Sequence, residues 1–368
     1  MGKNEKEMRE VFLELMRAGL WGSTPALDGF PLTDDEWVGI HTQARRQTVD
    51  GIVYDGVLRL PDELLPPTPL LMRWTAEIDG LERVNKRMNK DIAALFRWIK
   101  GNDLNAWLLK GQGVAACYEQ PLHRRCGDID IYFPNREDLE KMNLLLREKG
   151  VVVQPHANAG GIYRGGEFVV EQHIQMADIY RPSLVDYLQW LKHLETRNAV
   201  RWYVEGQTVL LPSPILAHLI STAHIFKHAM VFGIGFRQLC DAARLSYYYS
   251  DRIDSRLLED VFRRTGIYRW AISLYRMQVS TLGLPEEYLP FPLPKGEESY
   301  PWMENVWKGG NFGLYNRGFS ASKSPQSEKR HIGQAALNLC SNMRYAPGEA
   351  FWFSLKKFYW LFVEKQQG

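Results

Sequence analysis

Residues 127–133 read Gly-Asp-Ile-Asp-Ile-Tyr-Phe, so two carboxylates, Asp128 and Asp130, stand inside an otherwise apolar run. Side chains along a strand alternate between its two faces. Asp128 and Asp130 therefore share one face, while Ile129 and Ile131 pack on the other. That pattern demands a strand with its back in a core and its front at a polar site. Two neighbouring acids repel each other and resist burial. A shared divalent cation keeps both ionised, and oxygen ligands suit Mg2+ (or Mn2+).

The flanking residues fit such a site. Ala106-Trp-Leu-Leu109 reads as a short buried strand that ends at Lys110-Gly111, and residues 112–123 give a short helix and a turn around Pro121. Glycine after a strand allows close backbone approach to a bulky anion. Lys110, Arg124 and Arg125 bring positive charge near the acids. Arg124 and Arg125 alternate, so one of the two faces the site. Glycine, basic residues and paired acids together suit a metal-bound nucleoside triphosphate. A third acid comes from Phe168-Val-Val-Glu-Gln-His-Ile-Gln-Met176, a strand-like run with Glu171 and His173 on one face. Metal-assisted phosphoryl and nucleotidyl transfer uses ions bridged by several acids. The third acid can also act as base toward an attacking hydroxyl.

These residues resemble the nucleotidyltransferase superfamily related to DNA polymerase beta, and within it the bacterial family of uncharacterised nucleotidyltransferases. Leu109-Lys-Gly111, Arg124, Gly127-Asp-Ile-Asp-Ile131 and Glu171-Gln-His173 carry the resemblance, with a weaker echo in Arg237-Gln-Leu-Cys-Asp241. Together they cover roughly residues 85 to 245. Asp-hydrophobic-Asp alone is a weak signal, but the ordered set is fairly specific. The wider superfamily usually has Gly-Ser or Gly-Gly in the turn where this chain has Lys110-Gly111. The resemblance implies metal held by Asp128, Asp130 and Glu171, and nucleotide bound by Lys110, Gly111 and Arg124. It also implies a cleft to which His173, His228, Arg237 and Asp241 contribute.

Composition narrows the remaining classes. The chain has 368 residues and a formal net charge of +2, so it can bury a large core and shows no strong signature of nucleic-acid binding. Cys117, Cys126, Cys240 and Cys340 are scattered without Cys-x-x-Cys spacing, as expected of free thiols in a reducing cytoplasm. The charged start lacks a signal segment, and no run reaches the roughly 18–20 apolar residues needed to span a bilayer. A cytoplasmic protein is expected.

Periodicity organises the chain as α+β. Helical patterns cover residues 5–18, 36–48 (with Thr33-Asp-Asp-Glu36 as a start signal) and 69–100, the last with the stripe Leu81, Val84, Met88, Ile92, Leu95 and Ile99. Strand and helix signals alternate over residues 103–180, with a helix from Asn135 to Lys149 and a hairpin around Gly165-Gly166. They predict a small mixed sheet with helices on one face. From Pro182 on, helices dominate, the clearest at 216–232, 237–249, 255–265, 267–282 and 348–364. Three regions follow: an N-terminal helical region (1–100), a nucleotidyltransferase-like α/β core (101–181) and a C-terminal helical region (182–368).

His224 and His228, four apart on one helical face, have zinc-binding spacing but no glutamate in the metalloprotease position, so packing or substrate contact suits them better. Lys308-Gly-Gly-Asn-Phe-Gly313 reads as a turn, and the aromatic run Phe351–Phe362 as a buried closing helix. The expected reaction moves a nucleoside monophosphate from a nucleoside triphosphate such as ATP to an unidentified hydroxyl acceptor. The rival readings are a nucleotide-binding regulator and a helical interaction protein that keeps an inactive fold.

Overall fold

The computed structural model describes residues 2–156, 159–231, 233–296, 300, 302–315 and 336–356. It opens with α1 (Glu5–Trp21), α2 (Asp34–Arg46) and α3 (Asp50–Val57). Both longer helices begin with capping boxes, Asn4 with Glu7 and Thr33 with Glu36, which satisfy orphan amides at the first turn. α1 and α3 touch backbone to backbone: a Cβ on Gly19 would lie 1.8 Å from the Ile52 carbonyl oxygen, and one on Gly56 1.9 Å from that of Leu15.

The long helix α4 (Thr68–Gly101) begins just after Pro67 and carries the expected stripe with one exception. Leu81, Met88, Ile92 and Ile99 are buried, but Val84 is exposed and its neighbour Asn85 is wholly buried instead. Asn85 Nδ2 donates to the carbonyls of Leu122 (2.6 Å) and Arg124 (3.0 Å). A polar residue thus takes an apolar slot because it fastens the loop in front of the acidic strand.

β1 (Trp107–Leu108), α5 (Gln112–Ala115), β2 (Ile129–Tyr132), α6 (Arg136–Glu148), β3 (Gln154–His156), β4 (Ala159–Gly165) and β5 (Phe168–His173) follow. They build a mixed five-stranded sheet of order β1-β2-β5-β4-β3, in which β2 and β5 are parallel and the other pairs antiparallel. Ile129, Ile131, Phe133 and Val170 pack with Met88, Ile92 and Phe96 of α4 and with Leu139 and Met142 of α6.

The region after residue 182 is less uniformly helical than its sequence suggests. After α7 (Val185–Glu195), β6 (Val200–Val204) and β7 (Gln207–Leu211) form a hairpin. Its two-residue turn, Glu205-Gly206, has both φ angles positive (47° and 74°), the geometry that joins twisted strands. Glu-Gly lacks the asparagine or aspartate that usually marks this turn, and only Val204, Val209 and Leu211 are buried. α8 (Pro214–Val231), α9 (Phe236–Tyr249), α10 (Ser255–Thr265), α11 (Tyr268–Ser280) and α12 (Met303–Gly309) complete the labelled helices, and residues 347–356 are also helical.

A second core joins helices from both parts of the chain. Phe12 of α1 meets Phe236 of α9 at 5.8 Å between ring centroids and Trp307 of α12 at 5.3 Å. The front of the sheet is not bare: across a cavity it faces α8 and α9, so helices lie on both sides of it. No helix among the described residues is long and apolar enough to cross a membrane. Residues 357–364 of the expected closing helix lie outside the described residues.

Candidate active site

Parallel pairing of β2 with β5 aligns Asp130 with Glu171 and Tyr132 with His173. Because the pleat has period two, Asp130, Glu171 and His173 emerge on the front while the isoleucines fill the back. His173 Nε2 donates to Asp130 Oδ1 at 2.8 Å and lies 3.6 Å from Glu171 Oε2. Lys110 Nζ lies 3.0 Å from the same Asp130 oxygen. Gly111 follows at φ +65°, a left-handed conformation that favours glycine, and a Cβ there would lie 3.4 Å from the Asp128 carbonyl oxygen. Asp128 itself precedes β2, is exposed and lines the cavity.

These charges interact strongly. Burial opposes ionisation of Asp130, yet Lys110 and His173 hold its carboxyl well below the ordinary carboxylate range. Burial also works against the Lys110 ammonium, but Asp130, then Asp178 and Asp128, raise its pKa above the usual value. Glu171 is left worse off: burial, then the charges of Asp130 and Asp128, push its pKa up.

Among the described residues, ligand atoms of Asp130, Glu171 and His173 all lie within 4.8 Å of one another. Asp128 is not part of that group. Two carboxylates supply oxygen donors that suit a divalent ion, and Glu171 carries the unrelieved negative charge that such an ion would discharge.

Arg124 and Arg125 part company. Arg125 turns away to a bidentate pair with the fully buried Asp50. Arg124 lines the cavity, but its Nε (2.9 Å) and Nη2 (2.7 Å) donate to Asp241, which also accepts from Tyr118 Oη at 2.7 Å. Of the three Arg124 side-chain nitrogens, Nη1 is the one buried without a partner among the described residues. Burial disfavours the Asp241 charge, but Arg124 outweighs it and lowers the pKa. Arg237 donates through Nη1 to the Arg125 carbonyl at 3.2 Å, which steadies the loop entering β2. His228 packs its ring 4.7 Å from that of Phe312. His228, Arg237 and Asp241 all line the same cavity as Asp128 and Asp130.

That cavity holds ≈ 940 Å³, ample for a nucleotide. Its most prominent unexpected member is Asp178, in the loop after β5. Asp178 accepts from His224 Nδ1, Lys227 Nζ and Tyr180 Oη, each at 3.0 Å. Burial disfavours its charge, but His224 and Lys227 bring its pKa far below the usual value. The residue stands outside any strand alternation, so no periodicity flags it. Lys356, from the helical residues 347–356, lines the cavity from the far end of the sequence.

A family model described as uncharacterised nucleotidyltransferase matches residues 33–282. The chain belongs to that family. The matched span includes β2, β5 and the α8–α9 wall, but not Phe312 or Lys356. No curated protein matches it. The crystal structure of an antigenic nucleotidyltransferase-like protein from Paracoccidioides brasiliensis is similar at 15% identity, over 56% of this chain and 93% of that one, with a TM-score of 0.32.

Proposed function

We propose that this protein is a metal-dependent nucleotidyltransferase that moves a nucleoside monophosphate from a nucleoside triphosphate to an acceptor hydroxyl. The observation that carries this reading is the gathering of Asp130, Glu171 and His173 within 4.8 Å, beside Lys110, in a cavity of nucleotide size. Asp130 and Glu171, with Asp128 at the rim, would hold Mg2+ or Mn2+, which supplies charge neutralisation for the triphosphate. Lys110 and the remaining N–H of Arg124 would meet phosphate oxygens, and Gly111 lets the backbone come close to them. Stabilising charge is the main catalytic task in this chemistry.

One observation favours a second reading. Asp130 is already paired with Lys110 and His173, so an ammonium stands where a cation is needed. A nucleotide-binding regulator without turnover would keep that arrangement. Pyrophosphate release separates the two: the transferase reading expects release from a nucleoside triphosphate that depends on added Mg2+ and stops with a chelator. Lys110→Ala is expected to weaken nucleotide binding about tenfold by calorimetry, the loss of one charge-assisted contact of about 1.4 kcal/mol. Unchanged binding removes Lys110 from the phosphate site; binding without pyrophosphate release favours the regulator.

A further inference from the structure

Transfer to a hydroxyl requires a group that takes the acceptor's proton. The groups on the sheet edge are poorly placed for it. Glu171 belongs to the ligand cluster, and His173 already spends its Nε2–H on Asp130. Lys110 and Lys227 are ammonium ions paired with Asp130 and Asp178. Asp178 is saturated by His224, Lys227 and Tyr180.

His224 is different. It projects from α8 into the same cavity and its side chain is 20% exposed. Nδ1 bonds to Asp178, which fixes the neutral ring with its proton on Nδ1 and leaves Nε2 as a lone-pair acceptor. Nε2 makes no hydrogen bond among the described residues and is not sealed from the cavity. The ring is held from the side by His228, 4.4 Å away and nearly perpendicular. A carboxylate that orients an imidazole, whose second nitrogen opens on a cleft, is the arrangement of a general base.

We propose that His224 is the base that activates the acceptor in this site, with Asp178 as its positioning residue. The inference rests on the nucleotidyltransferase reading. The acceptor's O–H proton passes to His224 Nε2 as its oxygen forms a bond to the α-phosphorus. The bond from that phosphorus to the β-bridging oxygen breaks, and pyrophosphate leaves with the electron pair. The acceptor is then an alcohol small enough to reach α8 while the triphosphate lies along the sheet edge.

Burial, Lys110 and Lys227 hold the His224 pKa down to about 4, against the pull of Asp178. The groups facing it are Asp178 and Tyr180 from the loop after β5, Lys110 from the turn after β1, Lys227 and His228 on α8, and Lys356 from residues 347–356. A bound triphosphate offsets the nearby ammonium charges and raises the imidazole toward the range in which it serves as a base.

The test uses the full chain and two readouts. Nitrogen NMR of the histidine rings is expected to show His224 neutral and protonated at Nδ1 at pH 7, a signature lost in Asp178→Asn. Pyrophosphate release is then followed with ATP, Mg2+ and glycerol or water as acceptor. His224→Asn retains a donor toward Asp178 but no base, so it is expected to lower kcat about 10²-fold with the KM for ATP unchanged. Asp178→Asn is expected to lower kcat less and to move the acid limb of the pH profile. If His224→Asn folds and keeps its kcat, or if the ring carries its proton on Nε2, the base role is wrong. A wild type that releases no pyrophosphate with any acceptor overturns the transferase reading, and this one with it.

Discussion

On the sheet side of the cavity, Asp130 and Glu171 lie side by side, and Glu171 is left with a raised pKa and no full partner. On the helical side, Asp241 is surrounded: Arg124 grips it with two N–H groups and Tyr118 with a hydroxyl. Asp130 and Asp241 are both buried, and they line one space with the half-buried Glu171. The first pair has spare ligand capacity and unrelieved charge, which is what binding a cation requires. The second has none to spare and instead ties the loop before β2 to α9. Proximity to a cavity therefore does not by itself make an acid a reacting group.

That contrast can be broken by substitution. Asp130→Asn is expected to lower Mg2+-dependent pyrophosphate release by about 10³-fold, since it removes a charge on which the transition state depends. Its urea midpoint is expected to move far less than that of Arg124→Ala. Arg124→Ala strands the Asp241 carboxylate, so unfolding should become easier by about 3–5 kcal/mol. If Arg124→Ala instead leaves stability intact and only weakens nucleotide binding, the two sides are alike and the contrast fails.

A smaller effect comes from pH. Burial pushes His218, and likewise His224, down to about 4. Their unfolded pKa is about 6.5. Between those values the unfolded chain binds more protons, so stability falls as pH drops from about 6.5 toward 4. His123 works the other way: burial opposes its charge, but Asp55 and Glu82 raise its pKa. Urea midpoints measured across this window should fall, and His218→Asn should flatten the slope by up to one proton. A flat profile in the wild type contradicts the histidines' burial. The smallest effect is expected at Val84→Ser on the exposed face of α4, within about 0.5 kcal/mol; a larger loss means that Val84 touches a surface beyond the described residues.

The sheet side was legible because strands have period two. Alternation alone put Asp130 opposite Ile129 and Ile131, and Glu171 with His173, and the turn at Gly165-Gly166 ordered β4 and β5. The mixed α+β class and most helices followed from periodicity in the same way. Asp178 was not legible, since a loop residue acquires its partners only when α8 packs over the sheet. Asn85 was hidden inside an apolar stripe because its reason is the carbonyls of Leu122 and Arg124, far away in sequence. The β6–β7 hairpin was missed because Glu205-Gly206 is a weak turn signal. Arg124 and Arg125 could be expected to diverge, but only folding reveals which acid each one finds.

The pairing of Phe12 with Trp307 has a consequence for how the molecule is made. Arg9 meets Glu304, 295 residues further along the chain. At ribosomal rates of about 5–20 residues per second, α1 leaves the exit tunnel about 15–60 s before its last partners do. Throughout that interval Phe12, fully buried in the end, lacks the Trp307 ring that closes over it. The earliest-made helix is thus among the last to be completed, and a ribosome that stalls before residue 300 releases a chain in which Phe12 lacks Trp307 and Arg9 lacks Glu304.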